Sequence, residues 1–585
     1  MYTNLKTYQI VIALLKKYNI RHLVLSAGSR NVPFVHSVEE DPFFTCYSVV
    51  DERSAAYFAI GLSQQLQEPV LISCTASTAS SNYWPAVGEA YYQGTPIVVL
   101  TSDRNPSMLH QWEDQMIDQV GMFDRHVKKS VNLPIINDDD DWLYCQRLVN
   151  EALLELDHNG TGPVHINVPM KGYNNSFDVL ELPNVTKFER ITTLSSDETW
   201  NECANKLKKS KRILIACGQK SKISHEFNNL LSSFFHKYNA AISIEHMSNV
   251  DCDGAILTSV CMDSRYCNSK KFKEFSPDIV ISYGFNICQG IKEQLRRIHG
   301  TFEHWSIIPD GSVCDMFLSL NRIFECPADF FFTRMNYLAE DGSLNDKVYY
   351  HSIKSFADSV VYPDFDFCEM YAIQQVVEEI PENSILHLAI NNSIRIANFF
   401  QLKKNVTTYA NIGTYGIDGC LSTLTGQAAA TDKLCFLIIG DLAFFYDMNA
   451  LRIKHVRNNI RVLLLNNQGG GEFYYNGSWI NKASDLHTTA RHHTKAEGWV
   501  KENNFIYLSA HDKSSLSEAM KVFMNDELDK SVFLEVFSEM KDDSDKVHAF
   551  YNISRPKDTK EEIKKKGKEL LKNIMPKSII SSLKK

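Results

Sequence analysis

The chain has 585 residues, of which 44% are apolar and 22% charged, and this length suggests three or four globular domains. The formal net charge of −9 argues against a nucleic-acid-binding protein. The 14 cysteines are scattered without a Cys-x-x-Cys pair, which argues against a zinc site and a secreted disulfide framework, so we expect a small-molecule enzyme of a reducing cytoplasm.

The N-terminal segment leads into an amphipathic run, residues 10–17, without a basic leader region or a small-residue cleavage site. We therefore expect no signal peptide, and no apolar run is long enough to span a bilayer. Four apolar runs separated by helix-length segments then follow, at 23–25, 69–72, 96–100 and 164–168. This alternation predicts a parallel sheet with helical crossovers, which we assign to a first domain, residues 1–183.

Two further blocks show the same alternation of strands and helices. A polar stretch from Asn184 to Glu198 indicates a linker. Behind it we place a smaller domain at 198–345 and a third at 362–541, whose strand rhythm is similar to that of the first. The predicted fold class is α/β, with three doubly wound parallel-sheet domains.

The last segment, residues 542–585, is predicted to be a charged C-terminal tail. Five lysines between 564 and 572 alternate with apolar residues at roughly helical spacing. A basic amphipathic helix can lie on an anionic membrane, and the alternative is a solvated terminal helix. The sequence leaves the role of this tail open.

The most informative pattern lies in the third block, where polar residues follow two buried-strand patterns. Asp441 follows one, and Asn466–Asn467 follow the next, with three glycines, 469–471, directly after. The carboxyl ends of parallel strands border the ligand crevice of such a sheet. Since Mg²⁺ prefers hard oxygen ligands beside a phosphate, we assign Asp441, the Asn467 side chain and the Gly469 carbonyl as ligands of Mg²⁺ (or Mn²⁺). The alternative is a helix N-cap followed by a simple turn.

This arrangement resembles the diphosphate-binding motif of thiamine-diphosphate (ThDP) enzymes, which starts with Gly-Asp and closes with Asn-Asn. Such enzymes also need a carboxylate near the N-terminus, because the imino tautomer of the aminopyrimidine ring must be stabilised before it takes a proton from the thiazolium C2. Glu52 fits this role. The alternative is an exposed acid favoured by the dipole of a following helix.

Further motifs resemble one branch of these enzymes, the MenD-like 2-succinyl-5-enolpyruvyl-6-hydroxy-3-cyclohexene-1-carboxylate (SEPHCHC) synthases of menaquinone biosynthesis. The motifs are residues 26–30, 51–55, 101–104, 114–119, 416–419 and 440–444. The resemblance extends to about residue 475 and is weakest in the middle block. It implies pyrimidine-binding, central and diphosphate-binding domains of the ThDP-enzyme type. It also implies a homodimer or homotetramer in which Glu52 of one subunit meets the cofactor held by another.

The resemblance assigns roles to several other residues. Ile417 matches the apolar residue that props the cofactor in its bent shape, and Leu442 lies in the cofactor-binding motif. The acceptor-side contacts match Ser29, Arg30, Arg104 and Gln115, and the donor-side contacts match Asn391 and Arg395. Arginines suit two acidic substrates, because a planar guanidinium binds a carboxylate through two parallel hydrogen bonds. Their alternative is surface charge and helix capping.

Three positions depart from the family pattern: Ile412 stands where a second donor arginine is expected, Glu293 follows Lys292 where a basic pair is common, and Ala27 replaces a proline. Two readings of a ThDP- and Mg-dependent decarboxylase and carboligase follow. Either other basic groups compensate for Ile412 and the substrates are 2-oxoglutarate and isochorismate, or the donor is a different 2-oxo acid, such as pyruvate, in a specialised pathway. A catalytically inactive ThDP-fold binding subunit is the alternative from another class, and a flavin-dependent acetolactate synthase is a further family relative to exclude.

Overall fold

The computed structural model describes residues 1–172, 176–220, 223–288, 290–339, 344–476 and 485–554. The chain divides into two compact units, which we call unit 1 (Met1–Ser195 and Glu303–Pro327) and unit 2 (Ser196–Phe302 and Ala328–Lys585). Its strands form three sheets of six, seven and six strands, whose ladders are parallel. The predicted fold class is confirmed.

Unit 1 contains the first sheet. Its strands are β1 (His22–Leu25), β2 (Thr45–Ser48), β3 (Val70–Cys74), β4 (Ile97–Asp103), β5 (Lys129–Asn132) and β6 (Val164–Pro169). Its helices are α1 (Lys6–Lys17), α2 (Val32–Glu39), α3 (Glu52–Leu66), α4 (Thr78–Asn82), α5 (Trp84–Gln93) and α6 (Asp139–Leu154). The strand order β2-β1-β3-β4-β6-β5 reverses direction in the sheet, as in a doubly wound fold.

Both faces of the first sheet are covered. Strands β3 and β4 bury every residue, which is typical of parallel strands between two helical layers. Val98 and Leu100 belong to one apolar cluster and Val99 to another, because successive side chains of a strand point to opposite faces. The apolar runs found in the sequence are therefore the central strands of this sheet.

The strands of the middle region fall in both units. They are β7 (Glu189–Thr192), β8 (Ile213–Cys217), β9 (Ala240–Ile244), β10 (Ala255–Leu257), β11 (Ile279–Tyr283), β12 (Glu303–Ile307) and β13 (Leu320–Glu325). Within unit 2 the order is β10-β9-β8-β11, and within unit 1 it is β12-β13-β7. The linker prediction for 184–198 is wrong over β7, whose polar sequence hides an edge strand paired with β13 and buried at Ile191.

The helices of the middle region lie in unit 2. They are α7 (Asp197–Lys209), α8 (His225–Lys237), α9 (Ser269–Phe272), α10 (Ile291–Arg297), α11 (Ala328–Leu338) and α12 (Val348–Asp358). Helix α8 shows how they pack: Phe227, Leu231 and Phe234 recur at three- and four-residue spacing and are buried. Such spacing places the three side chains on one face of the helix.

The third sheet, also in unit 2, repeats the order of the first. Its strands are β14 (Ile385–Leu388), β15 (Thr407–Ala410), β16 (Cys435–Gly440), β17 (Ile460–Asn466), β18 (Ile506–Ala510) and β19 (Val532–Phe537), in the order β15-β14-β16-β17-β19-β18. The helices are α13 (Glu369–Glu379), α14 (Asn392–Ala397), α15 (Cys420–Ala429), α16 (Asp441–Asp447), α17 (Gly471–Asn476), α18 (Asp485–Thr488), α19 (Glu497–Glu502), α20 (Lys513–Phe523) and α21 (Met540–Ser554). The fourth strand along the chain is central in both sheets: it is β4 in the first and β17 in the third. The carboxyl end of each leads into a loop with candidate site residues.

Helix α21 covers the start of the predicted tail. It buries Val547, Phe550 and Tyr551, so residues 542–554 are packed rather than a free charged segment. The lysine-rich residues 564–572 lie outside the described residues. Within the described ranges, no helix is long and apolar enough to cross a membrane. The domain boundaries at 183, 198, 345, 362 and 541 stay predictions.

Candidate active site

Asp441 lies at the carboxyl end of β16, as the first residue of α16, and its N-cap is Gly440. Its carboxylate is 2% exposed. Oδ1 accepts a hydrogen bond from the Leu442 amide at 2.6 Å, and Oδ2 accepts one from the Gly469 amide at 3.0 Å. His492 Nε2 lies 3.3 Å from Oδ2. The side chain therefore joins the end of β16 to the loop after β17 instead of capping its own helix.

The two asparagines after β17 have different tasks. Asn466 is fully buried and donates to Glu535 Oε1 at 2.7 Å and to the Thr494 carbonyl at 3.0 Å, which anchors the strand end. Asn467 donates to Glu369 Oε2 at 3.3 Å, while its Oδ1 is buried and finds no hydrogen-bond partner among the described residues. A buried acceptor without a partner is costly, so this oxygen fits a metal ligand.

The glycines after Asn467 are required by close backbone packing. Gly469 has φ +154°, and a Cβ there would lie 2.7 Å from the Thr489 carbonyl oxygen. A Cβ on Gly471 would lie 2.8 Å from Asn467 Nδ2. Side chains at these positions would push the loop away from Asp441 and turn the asparagine. The loop therefore holds backbone groups close to the site, as ligand-binding glycine turns do.

A cavity of about 260 Å³ opens at this edge of the third sheet. Its lining includes six of the residues predicted from the sequence: Asn391, Ile417, Asp441, Leu442, Asn467 and Gly469. Ile417 is half-buried and packs against the apolar core behind the sheet, so it is held firmly at the cavity wall. The structure therefore brings together the cofactor-binding and metal-binding residues predicted in unit 2.

The donor set of this cavity fits Mg²⁺. It offers the Asp441 carboxylate, Asn467 Oδ1 and the Gly469 carbonyl, which are hard oxygen ligands. Within the part of the chain that the structure describes, no group of three His, Cys, Asp or Glu side chains is placed to hold a metal. A protein site with few ligands is expected for Mg²⁺, which completes its shell with phosphate oxygens and water.

Glu369 is a cavity residue that the sequence reasoning missed. It begins α13, is buried, and accepts hydrogen bonds from Asn392 Nδ2 at 2.8 Å and from Asn467 Nδ2. Burial, together with the charge of Asp543, raises the pKa of Glu369 well above its usual range. A protonated Glu369 adds no negative charge to a cavity that would receive a diphosphate. Its sequence context, an acid at a helix start, offered no signal.

The acceptor residues predicted around Arg30 lie together in unit 1. Arg30 is buried, its Nη1 donates to Gln115 Oε1 at 3.1 Å, and its amide donates to Thr75 Oγ1 at 3.3 Å. Ser29 is exposed beside it. A Cβ on Gly28 would lie 2.3 Å from the Thr75 Cβ, so this turn after β1 needs glycine. The turn thereby presents Ser29 and Arg30 at the carboxyl edge of the first sheet.

Arg104 follows β4 at the same edge. It forms a short ion pair with Glu113, and its buried Nε has no hydrogen-bond partner among the described residues. The loop that supplies Glu113 has left-handed backbone conformations at His110, Trp112 and Gln115, with φ of 63°, 58° and 54°. Non-glycine residues rarely adopt such angles, and they cluster at binding sites. The Trp112 side chain is 100% exposed.

Glu52 begins α3, directly after β2, as the sequence predicts. Asp51 caps this helix by accepting a hydrogen bond from the Ser54 amide at 3.0 Å. Glu52 is half-buried near Cys74 and Tyr83, whose pKa values are raised by burial and further by the charge of Glu52. The helix start is confirmed, and contact of Glu52 with a cofactor stays a prediction.

Arg395, the predicted donor-side arginine, lies on α14. Its guanidinium donates to Asn392 Oδ1 at 2.7 Å and, through two parallel bonds of 2.8 and 3.1 Å, to Glu472. It also lies 4.1 Å from the centre of the Tyr475 ring. Burial lowers the pKa of Arg395, but the hydrogen bonds to Glu472, together with the charges of Tyr475, Glu472 and Tyr551, raise this pKa above its usual range. The guanidinium is therefore charged and fixed.

Hydrogen bonds connect Ile412 and Lys292, which mark two of the places where the sequence departs from the family pattern. Ile412 is fully buried, and its carbonyl accepts a hydrogen bond from Asn286 Nδ2 at 3.1 Å. Asn286 Oδ1 accepts one from Lys292 Nζ at 2.8 Å. Burial lowers the pKa of Lys292, and Glu293 is exposed. A lysine is thus linked to the backbone at the position where the second arginine is expected.

Comparison with known proteins gives the family. Residues 5–122 match the family described as thiamine pyrophosphate enzyme, N-terminal TPP binding domain, thiamine pyrophosphate being another name for ThDP. SEPHCHC synthases of Bacteroides thetaiotaomicron and Bacteroides fragilis are both 38% identical, over 95% and 94% of this chain and 100% and 99% of their own. That of Flavobacterium johnsoniae is 29% identical over 92% of this chain and 97% of its own. The chain belongs to the SEPHCHC synthase family.

Membership of the SEPHCHC synthase family confirms several predictions. The chain is a ThDP-dependent enzyme with a divalent metal such as Mg²⁺, of the transferase type that decarboxylates a 2-oxo acid and joins the remainder to an acceptor. The predicted resemblance is thereby confirmed. The reading as an inactive binding subunit and the reading as an acetolactate synthase receive no support. The roles of individual site residues stay predictions.

Proposed function

We propose that this enzyme joins 2-oxoglutarate, after loss of CO₂, to isochorismate. The observation that carries this proposal is the cavity at the edge of the third sheet. There the Asp441 carboxylate and Asn467 Oδ1, which has no hydrogen-bond partner among the described residues, converge with the Gly469 turn. These three residues would hold the metal, and Ile417 and Leu442 would hold the cofactor. ThDP bound there would supply the nucleophile and the electron sink that decarboxylation of a 2-oxo acid requires.

The donor side supports 2-oxoglutarate. A donor with a distal carboxylate needs a fixed cation beside the cavity, since an unpaired buried carboxylate is strongly unfavourable. Arg395 is such a cation, and Lys292 supplies a second positive charge close to Ile412 through Asn286. Pyruvate has no distal carboxylate for either group to bind. The reading in which other basic groups compensate for Ile412 is therefore favoured over the reading with a different donor.

The acceptor side supports an acidic acceptor. Arg30 lies in the loop after β1 and Arg104 in the loop after β4, both at the carboxyl edge of the first sheet, and Arg30 donates a hydrogen bond to Gln115. We assign these side chains and Ser29 to the carboxylates and hydroxyl of isochorismate, because guanidinium and amide groups bind such oxygens directionally. The loop 110–115, whose backbone is strained at His110, Trp112 and Gln115, places Gln115 against Arg30, and such strain clusters at binding sites.

We also propose a homodimer, or a pair of dimers, in which Glu52 comes from the partner subunit. Near Glu52, α3 exposes Tyr57 and Phe58, α5 exposes Trp84 at its start, and Val50 is exposed just before α3. An exposed apolar patch on a globular protein marks an interaction site. Glu52 lies at the start of the helix that presents this patch, so a second copy seated there would receive its carboxylate.

A cytoplasmic location is the remaining part of the proposal. Within the part of the chain that the structure describes, the cysteines are not joined in disulfides, as in a reducing compartment.

The deciding experiment follows CO₂ release by the purified protein with ThDP and Mg²⁺. We expect release from 2-oxoglutarate and, with isochorismate present, formation of a product that contains both substrates. 2-Oxopentanoate has the same chain length without the distal carboxylate and serves as the matched control donor. Faster turnover of pyruvate or 2-oxopentanoate than of 2-oxoglutarate would contradict the proposed donor.

A further inference from the structure

A carboxylate of the chain itself is bonded to the guanidinium expected to bind the donor. Glu472, in the first turn of α17, lines the 260 Å³ cavity and accepts both parallel bonds from Arg395. This is the geometry in which arginine binds the carboxylate of a ligand. The Glu472 side chain and a dicarboxylic donor would therefore need the same two N–H groups.

Arg395 is the fixed partner of this pair. Its side chain is 6% exposed, and besides Glu472 it bonds Asn392 and packs on the Tyr475 ring. The Arg265 guanidinium lies 4.2 Å from the centre of the same ring, so the ring is held between further contacts. Cation–π contact and a third hydrogen bond keep the Arg395 guanidinium in place when its carboxylate partner changes.

Glu472 is the partner that can leave. Its side chain is 22% exposed. The residue directly follows the three glycines and is the second residue of the six-residue helix α17. Its carboxylate therefore has a route to water, where it is well solvated. Exchange of one carboxylate for another leaves the charge of the site unchanged and leaves no buried cation unpaired. A donor without a distal carboxylate offers no such exchange.

We propose that Glu472 is a positioning residue that holds Arg395 in the free enzyme and is displaced by the distal carboxylate of the donor. We call the Glu472–Arg395 pair the latch. A dicarboxylic 2-oxo acid separates the pair, whereas a donor without a distal carboxylate does not. Competition by Glu472 weakens donor binding and so sets the KM for the donor. This inference rests on the proposed function, since it requires a donor with a second carboxylate.

The test uses Glu472→Gln, which keeps the size of the side chain and removes its charge. Glutarate and pentanoate, which do not react, are titrated calorimetrically into the protein loaded with ThDP and Mg²⁺. We expect the Kd for glutarate to fall about tenfold and that for pentanoate to stay the same. Glu497→Gln is the charge-matched control, because Glu497 is exposed and pairs with Lys501 one turn along α19, and it should change neither Kd.

Steady-state kinetics supply a second readout. In Glu472→Gln, the KM for 2-oxoglutarate should fall while the KM for 2-oxopentanoate does not. If this variant fails to fold, Glu472→Asp, with a shorter reach toward Arg395, should tighten glutarate binding in the same direction by a smaller factor.

Unchanged or weaker glutarate binding in Glu472→Gln would overturn the inference, as would equal tightening of pentanoate. The glutarate titration needs no turnover, so it is judged separately from the proposed reaction. Release of CO₂ from 2-oxoglutarate by the unaltered enzyme, together with no tightening in the variant, would refute the latch alone. No release of CO₂ from 2-oxoglutarate would refute the proposed function.

Discussion

At the proposed metal site, the side chains of Asp441 and Asn467 are held in place by different numbers of hydrogen bonds. Asp441 is held by two backbone amides and cannot turn away, while Asn467 is held only through its amide nitrogen. Its Oδ1 is left for a cation. We therefore expect the Asp441 carboxylate to be in place before a metal binds and to contribute the greater part of the metal affinity.

Asp441→Ala should abolish Mg²⁺-dependent binding of ThDP. Loss of a hard anionic ligand removes the only carboxylate of the proposed set. Calorimetry with ThDP in the presence of Mg²⁺ measures the effect, and we expect the Kd to rise at least about 100-fold. Asp432→Ala, at an exposed ion pair with Arg457, is the control and should bind like the unaltered protein. Retained affinity in Asp441→Ala would contradict the ligand assignment.

Glu52→Gln should reduce kcat by about 10²–10⁴-fold while ThDP stays bound, because the amide cannot stabilise the imino tautomer as a carboxylate does. Turnover with 2-oxoglutarate and calorimetry with ThDP separate the two effects. Asp51→Asn is the neighbouring control, since asparagine also caps helices and α3 keeps its start. An unchanged kcat in Glu52→Gln would remove Glu52 from the mechanism.

Residues that follow strands could be predicted from the sequence, whereas residues that reach the site through tertiary packing could not. Asp441, Asn467 and Gly469 stand beside apolar runs, so strand ends located them. Glu369 and Glu472 offered no such signal, because their roles depend on α13 and α17 packing against the same loop. Ile412 indicated a missing charge, and only the structure links it to Lys292.

At the scale of elements, burial decides which strands the sequence reveals. The central strands β3, β4, β16 and β17 are almost wholly buried, and the apolar runs within them predicted these strands. Strands β2 and β7 lie at sheet edges and are mostly polar, so their sequences indicate turns or linkers as readily as strands. Hydrophobicity in the sequence therefore predicts the central strands. The edge strands depend on pairing with a neighbouring strand, which no local sequence pattern shows.

The glycine loop after β17 leads to a prediction at this scale. Gly469→Ala should displace the loop, since φ +154° is strained for alanine and its Cβ would meet the Thr489 carbonyl. We expect ThDP affinity to fall with Mg²⁺ present, measured by calorimetry. Gly498→Ala in α19 is the matched control, because its Cβ meets no atom within 4 Å, and it should raise stability by about 0.5–1 kcal/mol. Unaltered ThDP affinity in Gly469→Ala would show that the loop has room to adjust.

Across the whole molecule, buried histidines and buried carboxyl groups change the stability of the fold in opposite directions as the pH falls. Burial lowers the pKa of His165 to about 3 and those of His246 and His387 to about 4. Burial raises the pKa of Glu245 to about 7 and that of Asp543 to about 6. As pH falls from 6.5, the histidines destabilise the fold while the two carboxyls stabilise it, so the total profile conceals each contribution.

A single substitution isolates one of these contributions. Because the folded pKa of His165 lies below its unfolded value, the unfolded state takes up the proton first, and stability is lost as pH falls from about 6.5 toward 3. His165→Gln should remove this loss, by about 1.4 kcal/mol for each pH unit below 6.5. Hydrogen exchange of the β6 amides at pH 7.5 and 5.5 measures the difference. Equal pH dependence with and without His165 would show that the imidazole is protonated in the fold.

Subunit mixing tests the intersubunit site. Glu52→Gln and Asp441→Ala should each be nearly inactive, but a mixed dimer contains one site with both native residues. Random reassembly of equal amounts gives half mixed dimers, so about a quarter of the unaltered activity should return. Two copies of the same variant, refolded together, are the control and should recover none. No recovery in mixed samples that size analysis shows to be dimeric would place both residues in one subunit's site.

The first and third sheets share one strand order, 2-1-3-4-6-5 in the numbering of each. Agreement over six strands is what duplication of a single coding segment leaves behind. Under that history, the loop after the second strand came to carry Glu52 in one copy and Ile412 with Ile417 in the other. An ancestor with a single such sheet would have needed a second molecule to complete its site. Pairing of subunits would then be older than the present length of the chain.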